Sequence, residues 1–330
     1  MSERLPLSFA VHDYDHVRDL ADGAVGVEGV ALTVLHHPVE EIFFRFTRFR
    51  EWDVSELSLA KYCSLRAAGD ETLVAIPAFT SRSFRHSAIF IRSDGPLDDP
   101  AALAGARIGV PEWSQTATVY ARGLLAHEYG VALENVSWVQ AGTNEPGRTE
   151  GVVVSVPAGV SLTAMPEHTL NELLLAGELD AVIAAHPPEE FERGGGRIVR
   201  LFSDHRTVEE RYYQQTGVFP IMHVVALRAE LHARHPWVAM NLLSALAAAK
   251  ARSVERALDV NAPSFPVPWG PANAQRAKEL VGEDFWPYGI ESNRRTLEAF
   301  LGYAHEQGVC ARALEPEELF VPEAREAFKI

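Results

Sequence analysis

Twice along this chain, short apolar runs rich in β-branched residues alternate with stretches of helical periodicity, and that double alternation is the strongest constraint on the fold. Leu5, Leu7, Phe9 and Val11 share one parity, as a strand with one buried face requires. Residues 29–35, 52–57, 72–79 and 87–92 read as further strands. Helical spacing separates them at 38–50, where Ile42, Phe43, Phe46 and Phe49 recur, and at 59–68, with Ser58 placed to cap it. After the turn Ser93-Asp94-Gly95-Pro96 the pattern starts again. Strands are expected at 107–110, 136–140, 152–155 and 179–184, a long helix at 114–129 and a shorter one at 170–176. Residues 218–227 form an apolar strand fit to return to the first set. Three helix-rich stretches then run from about 230 to 330, interrupted by a surface loop at 261–271 that carries four prolines. The expected architecture is α/β, two lobes with a cleft between them: 1–95 plus 218–330 as lobe 1 with the C-terminal helices, 96–217 as lobe 2. Ligands in such folds bind at the carboxyl ends of strands and the N-termini of helices, which directs attention to the turns facing that cleft.

Composition removes several function classes. The 330 residues hold 45 acidic and 30 basic side chains, a formal charge of −15, with 47% apolar residues. A basic excess able to displace counterions from nucleic acid or to meet anionic lipid is absent. No run approaches the ~18 uninterrupted apolar residues of a membrane span. The start, with charged residues soon after Met1 and no apolar core, does not read as a secretory leader, so a cytoplasmic protein is expected. The two cysteines, Cys63 and Cys310, build neither a CxxC motif nor a disulfide framework. GxSxG, HExxH, GxGxxG and GxxxxGK[ST] are missing as well.

The polar residues near the cleft turns carry the chemistry. Between two strands, Thr80-Ser81-Arg82-Ser83-Phe84-Arg85-His86-Ser87 gathers two guanidinium forks, an imidazole and several hydroxyls, a set matched to a carboxylate. Glu112-Trp113-Ser114-Gln115-Thr116-Ala117-Thr118 precedes the long helix. Its free N–H groups and hydroxyls make a second, neutral anion site, and Trp113 is placed to stack on an aromatic ring. The two anion sites on opposing lobes suit a dicarboxylate or an aromatic acid. His12, Asp13, Asp15 and His16 follow the first strand, either as a cleft cluster or as metal ligands, although His12 ends a strand and so breaks the i, i+4 helical geometry that ligation needs. Glu56 ends an apolar strand just before a helix start, which favours its ionised form as a base or as an acceptor for a phenol. His223 lies within an apolar strand, as a core residue or a functional one.

These blocks resemble the 4,5-dihydroxyphthalate decarboxylase family. The resemblance rests on Trp52-Asp53-Val54-Ser55-Glu56-Leu57-Ser58, on Ser81 to Ser87, on Arg107-Ile108-Gly109-Val110-Pro111-Glu112, on Thr216-Gly217-Val218-Phe219-Pro220-Ile221-Met222-His223, and on Trp286-Pro287-Tyr288-Gly289-Ile290-Glu291. It implies a type II periplasmic-binding-protein-like fold and loss of CO₂ from a hydroxylated aromatic dicarboxylate, by acid/base chemistry without cofactor or metal. On that footing Arg82 and Arg85 hold the retained carboxylate, with Ser83, Trp113, Ser114, Thr116 and Thr118 assisting. His86 or His12 is the proton donor to carbon, and Glu56 or His223 the phenol base. The partner is then a small aromatic carboxylate, with neither nucleic acid nor membrane, and the exposed C-terminal helices offer a surface for a homo-oligomer. The alternatives are a solute-binding protein, cytoplasmic or exported, that binds a small aromatic acid without catalysis, and a metal-dependent enzyme using His12, Asp15 and His16.

Overall fold

The computed structural model describes residues 4–325; the expected helical stretch beyond 325 lies outside them. The first half of the chain runs β1 (Leu5–Val11), α1 (Asp15–Ala21), β2 (Val30–His36), α2 (Val39–Phe49), β3 (Val54–Ser58), α3 (Leu59–Ala67), β4 (Leu73–Arg82), β5 (Ile89–Arg92), β6 (Arg107–Val110), α4 (Thr116–Tyr129) and β7 (Ser137–Gly142). It continues with β8 (Ser161–Thr169), α5 (Leu170–Leu175), β9 (Ala181–Ile183), α6 (Glu189–Glu192), β10 (Ile198–Arg200), α7 (His205–Thr216) and β11 (Ile221–Arg228). The chain then turns helical through α8 (Ala229–Arg234), α9 (Trp237–Leu258), α10 (Gly270–Val281) and α11 (Arg294–Glu306).

Two sheets result, in the orders β2-β1-β3-β11-β4 and β10-β5-β9-β6-β7-β8. In the first, β1 pairs parallel with β2 and β3, while the returning β11 is antiparallel to both β3 and β4. In the second, β6 is parallel to β7 and β9, and β5 is antiparallel to β9. All five residues of β3 are buried, Glu56 included, because neighbouring strands and helices cover both of its faces.

Two expectations need correction. Residues 89–92, assigned to the first lobe, pair within the second sheet, so the chain crosses at the short turn His86–Ala88 and not near Ser93. Ile89, Phe90 and Ile91 are all buried, and only the position between β9 and β10 covers them. Residues 152–155 are not a strand; the partner of β7 is β8. Most β8 side chains are exposed, so it lacks the apolar alternation by which a half-buried strand shows itself. The three helix-rich stretches expected from about 230 hold four α-helices among the described residues, α8 and α9 following each other closely.

One continuous apolar cluster joins the two sheets, from Leu57 and Phe79 through Tyr120 and Phe300 to Ile108 and Val110. Helices α4 and α11 meet closely there. A Cβ on Gly123 would lie 2.4 Å from the Tyr303 ring, so a side chain at 123 forces these helices apart. On the far side of the first sheet, Arg256 binds both Asp15 and Asp19 and ties α1 to α9.

Candidate functional site

A cavity of about 270 Å³ opens between the two sheets. One wall comes from the first sheet: His12 and Tyr14 after β1, Ser58 at the end of β3, Ser81 on β4, Arg85 in the turn beyond, and Met222 and His223 on β11. The facing wall carries Glu112, Gln115, Thr116 and Ala117 after β6, Arg148 after β7, and Ala185 and His186 after β9. Strand ends and the start of α4 therefore converge on it, as the α/β layout requires. At its floor the two walls touch, with Ser58 Oγ 2.9 Å from Thr116 Oγ1.

Glu56 organises the first wall from behind. It is fully buried and does not line the cavity. Its Oε1 lies 2.6 Å from His223 Nδ1 and accepts from Tyr14 Oη at 2.7 Å and Thr80 Oγ1 at 2.9 Å, while Oε2 accepts from the His12 N–H at 2.9 Å. Burial alone would raise its pKa, but the His223 imidazole and these donors outweigh it and hold the carboxyl below the usual carboxylate range. Burial and the adjacent Glu56 push the Tyr14 phenol far up, so it stays protonated. With Nδ1 directed at Glu56, His223 presents Nε2 to the cavity, the tautomer and orientation set by a carboxylate. The side chain sits where β11 slips register against β4, at a bulge between Ile221 and Val225, and such bulges re-aim side chains toward sites.

Arg85 is the cation on this wall. Its Nε lies 3.1 Å from Met222 Sδ, and its terminal nitrogens have no protein acceptor among the described residues. Burial, opposed by Glu209, pushes the guanidinium down to about 10. A half-buried guanidinium with open donors facing a cavity is set to take an anion.

The other expected clamp residues point elsewhere. Strand β4 continues through Arg82, and strand alternation sends Ser81 to the cavity and Arg82 away from it. Arg82 is spent on the Phe219 carbonyl at 3.1 Å, the Pro287 carbonyl at 2.7 Å and the Asn293 side chain, between the rings of Phe79 and Phe219. Ser83 binds the Phe84 carbonyl and does not line the cavity. His86 lies in the core against Phe202 and Tyr212, ring centroids 5.2 and 5.1 Å away, with Nδ1 unpartnered and its pKa pushed by burial down to about 4. It cannot donate a proton into the cavity.

The chain itself occupies only the turn before α4; the helix start at Thr116, with no side-chain cap, remains open to the cavity. Glu150 accepts from the Trp113 and Ser114 N–H groups and from Ser114 Oγ at 2.6 Å. Trp113 is buried, its indole N–H donating to the Gln307 carbonyl at 2.7 Å beneath the Arg122 guanidinium, so it offers no face to a ligand. Thr118 Oγ1 donates to the carbonyls of Glu112 and Gln115. Only Thr116 of this turn reaches the cavity as expected, and its hydroxyl also accepts from the Ala60 N–H.

His12 lines the cavity, with Nδ1 3.3 Å from the His37 carbonyl. Its expected metal partners diverge: His16 stacks on Tyr14, ring centroids 5.1 Å apart, and Asp15 is committed to Arg256. Among the described residues no group of three or more His, Cys, Asp or Glu side chains is placed to hold a metal ion. Sequence reasoning missed Tyr14, Ser81, Lys61, Arg148 and His186. Ser81 stood within the quoted block, and Tyr14 between two histidines. Lys61, Arg148 and His186 carry no local pattern and meet only through the fold.

Nothing among the described residues forms a helix long and apolar enough to cross a membrane. No protein-family model matches the chain. A 4,5-dihydroxyphthalate decarboxylase from Comamonas testosteroni is 40% identical over 328 residues, covering 99% of this chain and 99% of that one. Another 4,5-dihydroxyphthalate decarboxylase, from Pseudomonas putida, is 41% identical over 212 residues, 64% of this chain and 82% of its own length. Among solved structures, the periplasmic aliphatic sulphonate binding protein SsuA from Escherichia coli superposes with a TM-score of 0.56 at 11% identity, over 100% of this chain and 96% of that one. The fold is thus that of the periplasmic binding proteins, and by its sequence the chain belongs to the 4,5-dihydroxyphthalate decarboxylase family.

Proposed function

We propose that this protein is a carboxy-lyase that converts 4,5-dihydroxyphthalate to protocatechuate and CO₂ in the cavity between its two sheets. The observation that carries the reading is the Glu56–His223 pair on the same wall as a half-buried, open-handed Arg85. In this substrate each carboxylate stands para to a hydroxyl. Removing that phenolic proton drives electron density onto the ring carbon that bears the carboxylate. A proton then adds to that carbon, the carbon–carboxylate bond breaks, and its electron pair restores the aromatic ring as CO₂ leaves. The net change is ArCO₂⁻ + H⁺ → ArH + CO₂, and it asks for one base, one acid and an anchor.

His223 fits the base. Its Nε2 takes the phenolic proton while Glu56 stabilises the imidazolium that forms, and Tyr14, held protonated, completes the hydrogen bonding around that carboxylate. Glu56 is thereby a positioning residue and not the base itself. His12, on the same wall, is the donor to carbon, and solvent reprotonates it. Arg85 anchors a carboxylate. We read the two sheets as lobes that close on the ring and exclude water, with boundaries at the turns after β4 and before β11. A cytoplasmic setting is part of the proposal, supported by two buried thiols, Cys63 and Cys310, that remain unpaired.

The test is turnover of 4,5-dihydroxyphthalate in D₂O, with and without chelator. Chelator-independent CO₂ release and one deuterium at the vacated ring carbon are expected. Glu56→Gln and His223→Gln should each lower kcat by about a hundredfold or more, with the pH profile altered. Binding without CO₂ release would make the protein a binding module, chelator-sensitive release would make it a metalloenzyme, and full activity in His223→Gln would remove the base assigned here.

A further inference from the structure

The reading above uses one cation, Arg85, yet the substrate class it names is a dianion. Two further cations line the same cavity, Lys61 from α3 and Arg148 from the loop after β7. Both converge on one carboxylate. Arg148 Nε donates to Glu112 Oε1 at 2.7 Å, and Lys61 Nζ lies 3.2 Å from Glu112 Oε2. The second contact lacks hydrogen-bond geometry: Oε2 is buried without a hydrogen-bond partner, so the ammonium keeps its donors for something else. Glu112 itself is almost wholly buried, whereas Arg148 is about one-third exposed at the edge of the cavity.

Charge counting then becomes decisive. Among the side chains that line the cavity, Arg85, Lys61 and Arg148 supply three positive charges and Glu112 removes one; the other lining carboxylate, Glu40, lies 2.8 Å from His186, whose pKa it raises, and the two cancel when the imidazole is protonated. Two positive charges then remain on the lining, one on Arg85 and one shared by Lys61 and Arg148. A dicarboxylate neutralises both. A monocarboxylate leaves one half-buried charge without a partner, and such charges are costly.

The loop carrying Arg148 is pinned two residues later, where Glu150 docks on Ser114 just before α4. The Lys61 ammonium lies close against the same loop at Gly151.

We propose that Lys61 and Arg148 form a second carboxylate subsite, with Glu112 as its resident counter-ion, and that this subsite makes the cavity selective for aromatic dicarboxylates over monocarboxylates. The inference rests on the proposed use of the cavity for an aromatic acid, but not on catalysis. It is tested on the full chain by calorimetric binding of phthalate and benzoate, which carry no hydroxyls and cannot react by the proposed route. Wild type should bind phthalate at least about tenfold more tightly than benzoate. Lys61→Met and Arg148→Met should each erase most of that preference while leaving benzoate affinity within about twofold. Lys61→Arg, which keeps the charge, should retain it, and Arg85→Met should weaken both ligands. Equal wild-type affinities, failure of both ligands to bind, or a preference that survives both Met variants would overturn the proposal. So would an equal loss of both ligands in those variants, as expected of a merely structural ion network. Selective binding without CO₂ release from 4,5-dihydroxyphthalate would sink the decarboxylase reading and leave the subsite standing.

Discussion

The turn after β4 and the turn after β6 face the same cavity, and both are rich in polar groups, but they spend them differently. The first keeps a donor in reserve: Arg85 has no acceptor for its terminal nitrogens, while its neighbours Arg82 and His86 are absorbed into the fold. The second spends most of its groups on the fold. Glu150 binds the Trp113 and Ser114 N–H groups just before α4, Trp113 is locked beneath Arg122, and Thr118 caps backwards onto two carbonyls, which leaves Glu112 Oε2 and Gln115 Oε1 unpartnered. Residue type alone therefore does not mark a binding group. What marks it is a polar atom that the protein has aimed into a cavity and left unpaired.

The sharpest way to break this comparison is to exchange the fates of the two arginines. Arg85→Met should reduce kcat/KM for 4,5-dihydroxyphthalate by about a hundredfold or more, with thermal stability nearly unchanged, because it removes a charge-assisted contact to the ligand alone. Arg82→Met should do the reverse. It leaves the Phe219 and Pro287 carbonyls and the Asn293 amide without their donor, costs about 3 kcal/mol of stability, and spares KM in whatever remains folded. Denaturant titration beside steady-state kinetics separates the two.

A smaller effect is expected at His86. Burial depresses its pKa to about 4, and that of His16 likewise. The folded state thus refuses protons that the unfolded chain accepts near pH 6.5. The stability contributed by each neutral ring is fully present above pH 6.5 and is lost as the pH falls toward 4. His86→Phe should remove about 2–3 kcal/mol of acid sensitivity across that window, with turnover at pH 7.5 unchanged. A variant without activity but with normal stability would return His86 to the active site.

The smallest effect is predicted at the second turn. Ser114→Ala removes one of four donors to Glu150 and should cost about 1 kcal/mol of stability, leaving the KM for 4,5-dihydroxyphthalate unaltered. A rise in KM of tenfold or more would mean that the helix start serves the ligand after all.

Much of the frame was legible because it is written in periodicity. Alternation placed β1, and the spacing of Ile42, Phe43 and Phe46 placed α2, because burial imposes those repeats on sequence directly. β8 was illegible for the converse reason: its exposed edge side chains bury little and carry no repeat. Within the site, His12, Glu56, His223, Arg85 and Thr116 fall on or directly behind the cavity wall. Arg82, Ser83, His86, Trp113, Ser114 and Thr118 do not. Lys61, Arg148 and His186 are distant in sequence from each other, and only the fold brings them to one cavity.

The amino-acid sequence by itself determined the double α/β alternation, the return of the chain to the first sheet at β11, and a stock of cations within an acidic chain. The tertiary structure alone decided which of those cations stay free. An arginine is neutralised or left open by the groups that long-range packing brings to it: Asn293 lies 211 positions from Arg82 in the chain, while nothing comparable reaches Arg85. Local sequence sets where a side chain starts, and only the closed core sets what it finds at the other end.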